Sequence, residues 1–260
     1  MTRPAPQAAY VLHRWSWSET SLILDLLTRE LGRVTVVAKG AKRPYSQQRS
    51  VLLPFQRIAV TLGRQKGDDA SDVFTLRGAE YSGGAPMLPP SRLFAGFYLN
   101  ELMMKLLAKQ DAHRQLFDDY ADTLSALAQV DDQADEAVLR AFELRLLHET
   151  GVLPELDRCT TTQLPLNPAA QYGLNPESGL MPSDDDEGSI AAADCLALQA
   201  ALRANDAPGL RAACASVLPA LKRQLRPLLH YHLGSSHLRT RQAMVEVHRL
   251  LDVDTLYATQ

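Results

Sequence analysis

The sequence predicts an α+β chain in two parts: a small five-stranded barrel within residues 1–82, then a helical domain over 83–260 with an irregular insertion at about 155–190. Three observations predict it. Short β-branched and aliphatic runs separated by turn formers fill the first eighty or so residues. Gly83-Gly84-Ala85-Pro86 and Pro89-Pro90 then break that pattern, and beyond them apolar residues recur every three or four positions. At 260 residues, 46% hydrophobic and 22% charged, the chain has the composition of one that buries a core, which excludes a mostly disordered protein.

Residues 9–13, 20–27, 34–37, 58–62 and 73–76 read as strands, punctuated by Leu31-Gly32-Arg33, Lys39-Gly40, Gly63 and Gly67-Asp68-Asp69. Closing five such strands into a barrel removes exposed sheet edges. Strand count alone leaves an OB-fold and an SH3-like barrel equally open. Helices are expected from Leu93 to Leu106 behind a Ser91 cap, over 111–128, and over 135–148 before Gly151 and Pro154. The insertion carries Pro165, Pro168, Pro176 and Pro182 and the acidic run 184–187. Helices resume near Ser189 and continue over 209–218, 221–233 and 238–251.

The usual signatures of chemistry are missing. No Walker loop, no dinucleotide-binding G-x-G-x-x-G after a strand and no G-x-S-x-G elbow occurs. His230 and His232 would point about 200° apart on a helix, too far for a shared metal. The run 184–187 lacks the spaced ligands and turn glycine of a calcium loop and reads as a solvated loop. Cys159 has Thr162 where a C-x-x-C partner would stand. Three loosely spaced cysteines fit reduced thiols in the cytoplasm. The longest apolar stretch, 93–108, is broken by Asn100, Glu101 and Lys105, and residues 1–7 show no secretory h-region.

Charge is the informative feature. Residues 1–82 hold twelve Lys and Arg against seven Asp and Glu, 83–198 seven against nineteen, and 199–260 eight against four. Within the first block, residues 29–66 hold nine bases and one acid. On charge alone a solvated face accounts for this, but it can also attract phosphate. Lys39-Gly40-Ala41-Lys42-Arg43 leaves a strand and enters a loop, where glycine permits close approach and the cations neutralise a polyanion. Arg33, Lys39, Lys42 and Arg43 are the first candidates for contact with a phosphate backbone, with Arg14, Arg49 and Arg57 behind them. Trp15 and Trp17 offer faces for base stacking; one is expected in the core and one at the surface.

These residues closely resemble the RecO family of bacterial recombination mediators. The resemblance runs through Tyr10-Val11-Leu12-His13, residues 17–25, Thr28, Gly32-Arg33-Val34, 37–41, Leu53-Pro54-Phe55 and 75–80. It continues in 98–102, 140–147, Gly151, Leu225-Arg226-Pro227-Leu228 and Leu238-Arg239-Thr240-Arg241. It implies an amino-terminal OB domain, a helical domain and, in many members, a four-cysteine zinc module. It further implies binding of single- and double-stranded DNA, strand annealing, RecR and the acidic tail of single-stranded-DNA-binding protein as partners, help in loading RecA, and a place at the nucleoid. Only Cys159 matches a family zinc ligand, with Thr162 and the neighbourhood of Met181 at the others, so no zinc is expected. Arg223, Arg226, Arg239 and Arg241, among Leu225, Leu228, Leu229 and Leu238, are the candidate site for the acidic tail. The competing class is a metal-dependent nuclease or hydrolase with an OB recognition domain.

Overall fold

The computed structural model describes residues 5–63, 72–83, 87–129, 135–185, 188–234, 238–240, 242–244 and 246. The expected five strands form, each within a few residues of its predicted bounds: β1 (Gln7–Ser16), β2 (Leu22–Thr28), β3 (Gly32–Ala38), β4 (Arg57–Gly63) and β5 (Val73–Tyr81). They close into an OB-like barrel in the order β1-β2-β3-β5-β4, with β3 and β5 parallel and the other neighbours antiparallel. Alternation explains the interior: Val34, Val36 and Ala38 of β3 and Ile58, Val60 and Leu62 of β4 meet Ala9, Val11, Leu24, Leu26, Phe74 and Leu76 inside. A four-residue helix, α1 (Gln48–Val51), lies in the β3–β4 connection, too short for a periodic signal.

A 3₁₀ turn, Pro90–Arg92, leads into α2 (Leu93–Leu106), α3 (Arg114–Leu127) and α4 (Asp135–Glu149). Then come α5 (Ala192–Arg203), α6 (Ala207–Ser216) and α7 (Leu218–Leu233). Helix α3 starts three residues later than expected because the chain first returns to the barrel: the Gln110 amide donates to the Arg33 carbonyl at 2.8 Å. Among the described residues no helix is long and apolar enough to cross a membrane.

The stretch 155–190, expected to be irregular, carries a small sheet. Its strands β6 (Gln171–Asn175), β7 (Gly179–Pro182) and β8 (Ile190–Ala191) run in the order β7-β6-β8. Strands of two to five residues beside Pro176 and Pro182 leave little alternation to read. The β6–β7 turn is built on Asn175, whose side-chain oxygen accepts from the Glu177 and Ser178 amides at 2.9 and 3.1 Å. Gln224 of α7, itself buried, secures the sheet by accepting from the Leu174 amide at 3.0 Å and donating to the Tyr172 and Gly188 carbonyls.

Barrel and helices share a wall. The first half of β1 is apolar on both faces: Ala9 and Val11 fill the barrel, while Tyr10 and Leu12 belong to the helical core. The Tyr10 ring meets Tyr120 edge-on at 5.0 Å and Phe117 at 5.2 Å. A bulge leaves Leu12 outside the β1–β2 pairing, and Asn100 of α2 donates to its carbonyl at 2.9 Å while accepting from the Tyr120 hydroxyl at 2.5 Å.

Candidate nucleic-acid interface

The basic stretch is divided by position along the strands: Arg29 and Arg33 lie at the β2–β3 turn and Arg57 at the start of β4, whereas Lys39, Lys42 and Arg43 follow the far end of β3. Arg29 turns to α3 and pairs with Asp118 through two hydrogen bonds of 2.8 and 3.0 Å. The Arg33 guanidinium donates to the Met104 carbonyl at the end of α2. Arg57 lies over the Phe117 ring with its guanidinium carbon 6.0 Å from the centroid. Arg33 and Arg57 therefore serve the wall between barrel and helices and do not join the other sequence candidates.

Lys39, Lys42 and Arg43 come together in one turn, with Arg49 following on α1. Gly40 takes a φ of +75° and its carbonyl accepts from the Arg43 amide at 3.1 Å, which brings the turn back on itself. Lys39, Arg43 and Arg49 are exposed. Lys42 is half-buried: its amide donates to the Thr20 carbonyl and its Nζ to the Ser18 carbonyl, both at 2.9 Å. Those two bonds tie the basic turn to the β1–β2 loop. Arg14 is exposed opposite Leu24, which lines the barrel interior, so it stands at the rim. Among the described residues, no carboxylate pairs with Arg14, Lys39, Lys42, Arg43 or Arg49. Their charge is therefore available to a polyanion.

Both tryptophans are at the surface, correcting the expectation that one lies in the core: Trp15 is 41% and Trp17 67% exposed. The barrel interior is already filled by aliphatic side chains, and the pairing of Trp15 with Ile23 sets it on the outer face, 4.4 Å from the His13 ring. Tyr45, 99% exposed beyond the basic turn, adds an aromatic that the sequence reading passed over; its position two residues after Arg43 was the available signal. Beneath His13, Asp25 is buried on the outer face and accepts from the Thr35 hydroxyl at 2.8 Å. Burial pulls the His13 imidazole below its usual range, with the Arg239 charge acting in the same direction and Asp25 opposing it.

Among the described residues, the four leucines of the candidate tail site are not exposed beside its arginines. Leu225, Leu228, Leu229 and Leu238 are all packed into the helical core, because they form the inward stripe that the same periodicity announces. Arg223 and Arg226 are exposed on α7, Arg239 lies on the last described helical segment, and Arg241 falls outside the described residues.

A tetrahedral zinc site needs four soft donors, and the residues here do not fit one. The Cys159 thiol is lowered to about 7 by the Thr161 and Thr162 hydroxyls, helped by the amides of the same two residues, none of them a soft metal donor. Cys195 and Cys214 are buried on α5 and α6, where desolvation pushes both up to about 12. The turn after Cys159 is fastened to β7 by Thr160 instead. Its amide donates to the Leu180 carbonyl and its hydroxyl accepts from the Leu180 amide, both at 2.8 Å. Among the described residues, no three His, Cys, Asp or Glu side chains gather to hold a metal.

Comparison with known proteins agrees in both halves. The family model for the recombination protein O N terminal matches residues 1–79, and that for its C terminal matches 89–242. Proteins named DNA repair protein RecO in Acidovorax ebreus and Variovorax paradoxus are each 47% identical to this chain, over 264 and 259 residues. That of Paracidovorax citrulli is 48% identical over 261 residues. Each comparison covers 95% of this chain and 98% of the relative.

Proposed function

Because the chain belongs to the RecO family of DNA repair proteins, we propose that it is a recombination mediator that binds DNA through the side of its barrel bearing Lys39, Lys42, Arg43 and Arg49. The supporting observation is that Lys39, Lys42 and Arg43 form one turn tied through Lys42 to the loop carrying exposed Trp17 and followed by exposed Tyr45, with no carboxylate among the described residues paired to these cations or to Arg49. Neutralising phosphates on two strands lowers the repulsion between them, so annealing needs electrostatics and no bond chemistry. Both single- and double-stranded DNA supply that backbone. In this reading the protein acts with RecR, meets the acidic tail of single-stranded-DNA-binding protein, helps load RecA, and works in the cytoplasm at the nucleoid. Titrating the whole chain with labelled single- and double-stranded oligonucleotides from about 50 to 200 mM salt tests it. Binding to both, weakening steeply with salt, is expected; no complex in dilute buffer overturns it.

The same reading makes the 155–190 module independent of zinc. Dialysis against a chelator should leave the thermal midpoint and DNA affinity unchanged. A drop restored by added zinc would show a metal site that Cys159 and its hydroxyl neighbours do not suggest.

A further inference from the structure

We infer that the last helical segment, entered at Leu238, completes a single-strand binding face on the barrel, with Arg239 supplying a phosphate contact beside the His13–Trp15 ring pair. This rests on the reading that the barrel binds DNA and adds to it a second element from the other end of the chain.

The segment is held at a defined place. Leu238 is buried in the helical core, and the two oxygens of Glu101 on α2 accept from the Arg239 and Thr240 amides, each at 2.9 Å. Burial would raise the Glu101 carboxyl, but those amides and Lys105 more than offset it, holding it below its usual value. Residue 100, next in sequence, bonds to the Leu12 carbonyl of β1. Two adjacent residues of α2 thus tie the barrel on one side and the carboxyl-terminal segment on the other. The amides at the start of the segment are occupied by Glu101, so what it presents outward is the exposed Arg239 side chain. Because Glu101 holds the Arg239 amide and its neighbour Asn100 holds the Leu12 carbonyl, the start of the segment is set beside β1 at the residue before His13.

That outer face has the composition a single strand requires. His13 sits edge-on to Trp15 at 4.4 Å, and Trp17 follows in the loop, its amide bonded to the Ser21 carbonyl at 3.1 Å. From His13 to Trp17 is about 13 Å at the usual strand rise. Lys42 lies at the Trp17 end through its bond to Ser18, and the Glu101–Asn100 link sets the start of the Arg239 segment at the Leu12–His13 end. Cations therefore stand at both ends of a path with two aromatic faces between them. Unpaired bases can stack on such faces while their phosphates reach the cations; paired bases of a duplex cannot. Neither half of the molecule holds the complete set.

The test is binding of a fluorescent oligothymidylate to the full-length protein and to Arg239→Ala across several salt concentrations, with Arg239→Lys as the charge-retaining variant. Arg239→Ala should bind roughly three- to tenfold more weakly, with the salt slope lowered by about 0.7, and Arg239→Lys should restore the slope. Unchanged affinity and slope in Arg239→Ala, while alanine at Lys39, Lys42 and Arg43 weakens binding, would overturn this inference and leave the barrel reading standing. If neither variant weakens binding, the barrel reading falls and this inference with it.

Discussion

Alanine at Lys39, Lys42 and Arg43 together weakens single-stranded DNA binding on the order of ten- to a hundredfold near 50 mM salt and lowers the salt slope by about 2. The three belong to one turn, so a strand laid across it loses adjacent contacts. No partner carboxylate among the described residues is left behind by their removal. Loss of the Lys42 bond to Ser18 also loosens the loop that carries Trp17, which deepens the defect for single strands relative to duplex. Exposed Lys39 and Arg43 should each change stability by less than about 0.5 kcal/mol, and loss of the Lys42 bond to Ser18 should add about 0.5–1.5 kcal/mol. Arg57→Ala is the contrasting variant: it empties a contact over Phe117 in the wall between barrel and helices, so it should lower the thermal midpoint while leaving the salt slope alone. Equal slopes for the triple variant and the parent protein would remove the basic turn from the interface.

The strands and the helices beyond them were legible because their periods are, and because Gly and Pro punctuate them. The continuous apolar run of β1 carried a further message, burial on both faces, which Tyr10 and Leu12 realise by joining the helical core. The sheet at β6–β8 was not legible: it depends on Gln224, some fifty residues away in sequence, to satisfy its backbone. Charge counting singled out the basic stretch but could not divide it. Arg33 and Lys39 share the outward parity of β3 and differ in standing at its opposite ends, where the Met104 carbonyl of α2 takes the Arg33 guanidinium. Arg239 was legible as a cation but its tie to α2 was not, since that tie is made by Glu101 across 138 residues of sequence.

The contact between the β2–β3 hairpin and the approach to α3 has its own test at Gly32, where alanine should cost about 3–5 kcal/mol. Gly32 turns the chain between β2 and β3 with a φ of +67°, which alone costs an L-residue about 1–2 kcal/mol. The hairpin tip is also pressed against the approach to α3: a Cβ at this position would lie 1.6 Å from the Asp111 carbonyl oxygen and 2.4 Å from its carbon. Both are backbone atoms, held by the Gln110–Arg33 hydrogen bond on one side and by the Arg29–Asp118 pair on the other, so neither can yield cheaply. In a chain of this size the thermal midpoint should fall by roughly 10 °C. Gly151→Ala separates the two causes, because its φ of +72° is similar but nothing lies within 4 Å of an added Cβ. That variant should lose only the backbone part, about 1–2 kcal/mol. Equal midpoints for the two variants would mean that the hairpin tip and α3 are not in contact in solution. The salt slope of DNA binding, set by the turn at Lys39 on the other side of the barrel hairpin, should survive in both wherever the protein is folded.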